Sequence, residues 1–231
     1  SFFGVCVDRS VEEKLPLGRS RCDHCGHQLS PRELIPVLSY FFQRGRSLCC
    51  NKKLSVNYVL IEATTALVYV TLYMIFMKLS VSLQVVVGYY LLASALIVSM
   101  FADIRYHVLP DSATFALSIA SIFLVGYVNV FSAAILCCGL YCLYLLTNRK
   151  SIGLGDVKFV IPLGLLLGLR DGLLALYIAV VLGGLWGILL IISGKKGLKS
   201  VIAFGPFLII GLLFMLLWGE RIWKLIGMVY S

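Results

Sequence analysis

Two aspartates, Asp103 and Asp156, carry the chemistry this sequence suggests. Asp156 stands in Gly153-Leu154-Gly155-Asp156-Val157-Lys158, at the mouth of an apolar segment. Asp103 ends another apolar run. Hydrolysis of a peptide bond by carboxylates needs two of them. One takes a proton from water while the other protonates or polarises the carbonyl. Two carboxyls held close cannot both ionise easily, so the pair holds one proton and titrates as a unit. The glycines before Asp156 allow close backbone approach and leave room for an extended substrate strand. Asp156 is also well placed to cap the helix that follows it. Asp103 follows a span, where a carboxylate meets the unfavourable end of the helix dipole. Asp111 precedes an apolar run at 112–128 and is expected to cap that helix.

The elements that must position this pair are membrane spans. The chain has 231 residues, is 60% hydrophobic, and has a mean hydropathy of +0.97, against roughly 45–50% apolar for soluble domains. The apolar runs are continuous rather than alternating, which predicts an all-α polytopic membrane protein and not a β-barrel. Complete spans are expected near 56–77, 79–102, 112–128, 130–148, 157–169, 172–194 and 201–218. A polar turn is expected over Asp103–Asp111, and a tight turn at Arg170-Asp171. Residues 1–7 are too few to cross a core of ~30 Å and read as the end of a truncated first transmembrane helix. The fold expected is therefore seven complete transmembrane helices plus that truncated one. Residues 8–55 form a small Cys-rich loop domain, 56–218 the bundle, and 219–231 a C-terminal tail.

Charge orients the bundle. The net charge of +9 marks cytoplasmic loops rather than a nucleic-acid partner. The nine Lys/Arg of 8–55, with Arg105, Arg149, Lys150, Lys158, Lys195, Lys196 and Lys199, fall on one face. Only Lys78, Arg170, Arg221 and Lys224 fall on the other. That bias puts residues 8–55, Asp103 and Asp156 together at the cytoplasmic side, against membrane lipid along the spans. Glu62 lies about two turns inside its span, where an acid is costly and often functional.

The polar loop is too short for a conventional core, so something else must fix its shape. Cys22-Asp23-His24-Cys25-Gly26-His27 has the form of a zinc half-site, and Cys49-Cys50 supplies a second pair. Cytoplasmic placement disfavours disulfides. Two adjacent cysteines rarely ligate one tetrahedral ion well, because their side chains tend to point apart. Cys49, His24 and His27 are candidates to complete the site. His107 is expected to be interfacial.

In order along the chain, several motifs resemble the type 4 prepilin peptidases, the GxGD membrane aspartic peptidases. They are Cys22-x-x-Cys25, Glu33-Leu34-Ile35-Pro36, Leu38-Ser39-Tyr40, Arg44-Gly45-Arg46, Glu62, Asp103 with Leu109-Pro110-Asp111, Gly153-Leu154-Gly155-Asp156 with Lys158, and Phe204-Gly205-Pro206-Phe207. Presenilin-like proteases share GxGD, but the Cys-rich loop separates the two groups. The resemblance implies cleavage of the basic leader of prepilins or pseudopilins at the cytoplasmic face of the bacterial inner membrane. It also implies N-methylation of the new terminus from S-adenosylmethionine. By carry-over Asp103 and Asp156 are the catalytic pair, with Gly153, Gly155, Lys158 and Glu62 in support. Glu62 serves either the methyltransferase half or the join of loop to bundle. Relatives carry a second Cys-x-x-Cys; Ser47 here takes the place of its first cysteine and Cys50 that of its second, so the resemblance implies Cys50 as third ligand. No glycine-rich nucleotide fingerprint follows a strand. The rival readings are a peptidase without methyltransferase activity and an ion-coupled transporter. A transporter would hold its acids near the midplane and often shows internal repeats.

Overall fold

The computed structural model describes residues 2–11, 22, 25–30, 33, 35, 38–126, 128–147, 152–194 and 203–225. Among them the regular elements are all helices, with isolated bridge residues at Gln28 and at the Arg46–Lys53 pair. The helices are α1 (Phe2–Val11), α2 (Leu38–Phe42), α3 (Val56–Phe76), α4 (Leu83–Tyr106), α5 (Asp111–Val125), α6 (Val130–Leu146), α7 (Leu154–Ile192) and α8 (Gly205–Leu225). Four of these, α3, α4, α7 and α8, are long and apolar enough to cross a membrane, and α5 and α6 are shorter apolar helices. Large apolar side chains such as Leu67, Phe131 and Tyr177 point outward, as helices apolar all round do in lipid.

The 39 residues of α7 would make a straight rod of about 58 Å, nearly twice the bilayer core. The helix breaks instead at Gly168, whose φ of 76° favours glycine. The chain folds back there. Leu163 Cδ2 comes within 3.4 Å of where a Cβ on Gly172 would stand. Asn129 Nδ2 donates to the Leu165 carbonyl at 3.0 Å, satisfying a backbone acceptor that the break exposes. Small residues bring the arms close to their neighbours. A Cβ on Gly164 would meet Ala133 at 2.6 Å, and one on Gly211 would meet the Ala175 carbonyl.

The turn is therefore at Gly168 and not at Arg170-Asp171, which are helical. Those two charges serve α8 instead. Trp223 Nε1 donates to Asp171 Oδ1 at 2.6 Å, and the Arg170 guanidinium lies 3.5 Å from the Trp223 ring centroid. With that anchor α8 continues as helix to Leu225, past the expected end near 218.

Helix α4 is the hub. One face joins Leu92, Ala95 and Leu96 to the main core with α5, α7 and α8. The other joins Ile97, Val98 and Ala102 to Val7 of α1, Ile61 of α3 and Ala113 of α5.

Candidate active site

Asp103 lies in the last turns of α4, which runs on to Tyr106 before His107 closes it in the left-handed region at φ 55°. The expected polar turn thus begins only at His107. Asp103 is 5% exposed. Its Oδ2 accepts the backbone N–H of Gly205 at 2.7 Å. Gly205 opens α8, so a carboxylate at the wrong end of its own helix is held at the favourable end of another.

Asp156 is the third residue of α7, and its Oδ2 accepts the N–H of Gly153 at 3.1 Å. That is the returning half of a capping box, with glycine at the cap. Leu109, itself 5% exposed, lies between the two helix starts. Its Cβ is 3.2 Å from the Cβ position of Gly155, and its Cδ2 is 3.0 Å from that of Gly205. No larger residue than glycine fits at either place without a shift. Gly155, next to Asp156, and Gly205, which holds Asp103, thus pack against one leucine. Two carboxylates brought to one place could divide the acid and base roles between them.

Asp111 does not cap α5. The cap position is Pro110, and Asp111 is the first helical residue. Its carboxylate takes both bonds from Lys158 Nζ, at 2.6 and 2.9 Å. The partners are 47% and 66% exposed, so the pair is worth about 0–1 kcal/mol. Asp111→Asn is therefore expected to keep its rate of peptide-bond cleavage within about threefold of wild type, read as an initial rate on purified protein. A loss beyond a hundredfold would assign Asp111 a direct role.

At the same end of the bundle, Asp8 of α1 ties α3 and α4 together. Arg105 Nη1 meets Asp8 Oδ1 at 2.7 Å, and the hydroxyls of Tyr58 and Tyr106 donate to Asp8 at 3.0 and 2.7 Å. This cluster and the contact of Gly205 with Asp103 escaped the sequence reading. The only signal for the second was the Phe204-Gly205-Pro206-Phe207 interruption of an apolar run. Glu62 is half-buried on α3 and faces a cavity beside Tyr58. His107 is exposed.

The sulfurs of Cys22, Cys25, Cys49 and Cys50 all lie within 4.8 Å of one another. Cys25 and Cys49 are 3.1 Å apart, and Cys22 and Cys50 3.8 Å. A tetrahedral zinc with four thiolates would set its sulfurs about 3.8 Å apart, so this cluster can hold a metal. Cys49 belongs to it, although adjacent cysteines were expected to diverge. The reason is a tight loop. Ser47 N donates to Lys52 O, Asn51 N to Ser47 O, and Asn51 is left-handed at φ 55°. The loop turns both thiols toward Cys22. Ser47 is buried, with Oγ 3.0 Å from Cys49 Sγ and 3.5 Å from Cys22 Sγ. His27 is exposed and outside this group, and His24 lies outside the described residues.

Comparison with known proteins agrees along the chain. Residues 1–76 match the family model for the bacterial peptidase A24 N-terminal domain, and residues 90–188 that of the type IV leader peptidase family. The prepilin leader peptidase/N-methyltransferase of Aeromonas hydrophila is 33% identical, over 93% of this chain and 78% of the relative. That of Pseudomonas putida is 31% identical over 95% and 79%. That of Bacillus subtilis (strain 168) is 26% identical over 88% and 83%. No solved structure matches.

Proposed function

The chain belongs to the type IV leader peptidase family, and from that premise we propose that it removes the basic leader of prepilins or pseudopilins and then methylates the new N-terminus. The observation that supports the peptidase half is the packing of Gly155, next to Asp156, and of Gly205, which holds Asp103, against the same Leu109 side chain. In this reading one aspartate takes a proton from water as its oxygen bonds to the scissile carbonyl carbon. The other gives a proton to the carbonyl oxygen. Collapse breaks the C–N bond, and the departing amine takes a proton back. Hydrogen bonds from Gly205 and Gly153 fix the two carboxylates before substrate arrives. S-adenosylmethionine, when bound, supplies an electrophilic methyl carbon to the lone pair of the freed amine and departs as a neutral thioether.

Counting the arms of α7 separately, α3 to α8 are seven apolar helical segments, which supports the reading of seven spans. The charge bias supports placing the 8–55 loop and the aspartates at the cytoplasmic face of the inner membrane. The contact between Asp8 at the end of α1 and Arg105 at the end of α4 supports a shared face. The test is purified protein with a prepilin substrate, read by mass spectrometry. Loss of the leader plus one methyl increment is expected. An uncleaved substrate would end the reading.

The four thiolates would hold one zinc, which fixes a loop with little core of its own. About one zinc per chain is expected in reducing, chelator-free buffer. Cys49→Ser should release it as readily as Cys22→Ser, Cys25→Ser or Cys50→Ser. Stripping the metal should impair methylation more than cleavage, because the aspartates belong to the bundle. Elemental analysis checks the first part. A Cys49→Ser protein that keeps stoichiometric metal would remove Cys49 from the ligand set.

A further inference from the structure

The second half of the Cys-rich loop is basic without a single acid. No Asp or Glu stands between Glu33 and Glu62, while Arg44, Arg46, Lys52 and Lys53 all fall there. The four are exposed, and none is in an ion pair among the described residues. Two of them face each other. Arg46 and Lys53 form the antiparallel bridge, flanked by Ser47 N–H to Lys52 O and Leu54 N–H to Gly45 O, both at 2.9 Å. That pattern is the non-hydrogen-bonded pair, which brings opposed side chains closest, with Cα atoms about 4.5 Å apart. Like charges directly opposite destabilise a hairpin, and an anion between them removes the penalty. The same stretch turns apolar side chains outward. Phe41 and Phe42 end α2 and are 67% and 83% exposed, and Leu48 of the hairpin loop is 70% exposed. Aromatic and basic residues side by side suit the boundary between lipid and water.

The chain itself sets the depth of this hairpin. Ser55 caps α3, its Oγ accepting the N–H of Asn57 at 3.3 Å, and α3 is long and apolar enough to cross a membrane. Lys53 stands three residues before Val56, a reach of at most about 11 Å. Both lysines are thereby kept near the lipid headgroups. We propose that residues 38–54 are a docking surface for the anionic phospholipid of the leaflet they adjoin. Phe41, Phe42 and Leu48 enter the acyl boundary, and Arg44, Arg46, Lys52 and Lys53 take the phosphates. Each cation held at an anionic leaflet favours docking by about fivefold. The docked loop is held at the end of the bundle where Asp8 joins Tyr58 of α3 to Arg105 of α4. Arg105 lies two residues beyond Asp103, so the leaflet that binds the loop borders the candidate active site. The proposal does not depend on which reaction occurs there.

The experiment places the full chain in vesicles of phosphatidylcholine alone, or of phosphatidylcholine and phosphatidylglycerol mixed two to one. Phe42 is replaced by photoreactive benzoylphenylalanine, which keeps an aromatic ring and crosslinks to acyl C–H groups, and adducts are read by mass spectrometry. Expected are lipid adducts in the mixed vesicles and at least about fivefold fewer in the neutral ones. Adding Arg46→Gln should lower the yield in mixed vesicles by about fivefold. Salt at about 1 M, where the screening length is ~3 Å, should bring it to the neutral level. Lys78→Gln, just past the other end of α3, is the charge control and should change nothing. Hydrogen exchange on the unmodified wild type gives an answer free of any folding defect in the variants. Residues 38–54 should exchange more slowly in mixed than in neutral vesicles, with the α3 peptide unchanged. Absence of lipid adducts from both vesicles would overturn the proposal, and so would yields and exchange that are the same in the two. Adducts to an added prepilin in place of lipid would make the segment a substrate surface and overturn it as well.

Discussion

Asp103→Asn and Asp156→Asn are each expected to lower leader cleavage by about a thousandfold or more, within the range set by losing a positioned acid or base. Both proteins should remain abundant in the membrane. Asparagine is isosteric and keeps an oxygen to accept the Gly205 or Gly153 N–H, so the bonds at 2.7 and 3.1 Å survive. At Asp103, 5% exposed, loss of a charge also removes a burial cost. Catalysis fails because an amide can neither take the proton from water nor give one back at neutral pH. The double variant should be little worse than either single one, since residues acting as a unit are not additive. The measurement is the initial rate of leader removal from a purified prepilin. Near-normal processing by either single variant would sink the pair.

Gly205→Ala should cost about a hundredfold in cleavage, the loss expected when a reacting group moves by about 1 Å. The added Cβ would lie 2.7 Å from Asp103 Oδ2, 3.0 Å from Asp103 Cγ and 3.0 Å from Leu109 Cδ2. Real carbon atoms do not approach so closely. Either α8 retreats and lengthens the bond to Asp103, or the carboxylate turns out of its place beside Gly205. Overpacking of this kind costs about 1–3 kcal/mol, which an extensively buried bundle survives. Gly184→Ala is the control, because nothing stands within 4 Å of its Cβ position. In the middle of a helix that change should be neutral or slightly stabilising. A Gly205→Ala protein within threefold of the control would show that Asp103 does not depend on the start of α8.

By itself the sequence determined the solvent of this protein and the type of its elements. Continuous apolar runs without alternation leave no other structure able to satisfy the backbone in lipid, and all-helical architecture followed. It also singled out Asp103, Asp156 and the four loop cysteines, because a polar or thiol group in such surroundings is conspicuous. What it could not assign was partners. Asp111 read as a cap because capping rules see only the adjacent turn, while the bond it makes is to Lys158, 47 residues away. Arg170-Asp171 read as a turn because charges interrupt an apolar run. The structure spends them on Trp223 of α8 and breaks the helix at Gly168, where the Asn129 side chain receives the exposed carbonyl. Adjacent Cys49 and Cys50 read as divergent until a left-handed Asn51 turned the loop. Asp103 seemed misplaced at the end of its own helix dipole. The residue that settles it, Gly205, lies 102 positions along the chain. Hydropathy and capping are local free energies, summed along the sequence. The partner of a buried charge is chosen by packing, which depends on contacts that exist only once the helices have met.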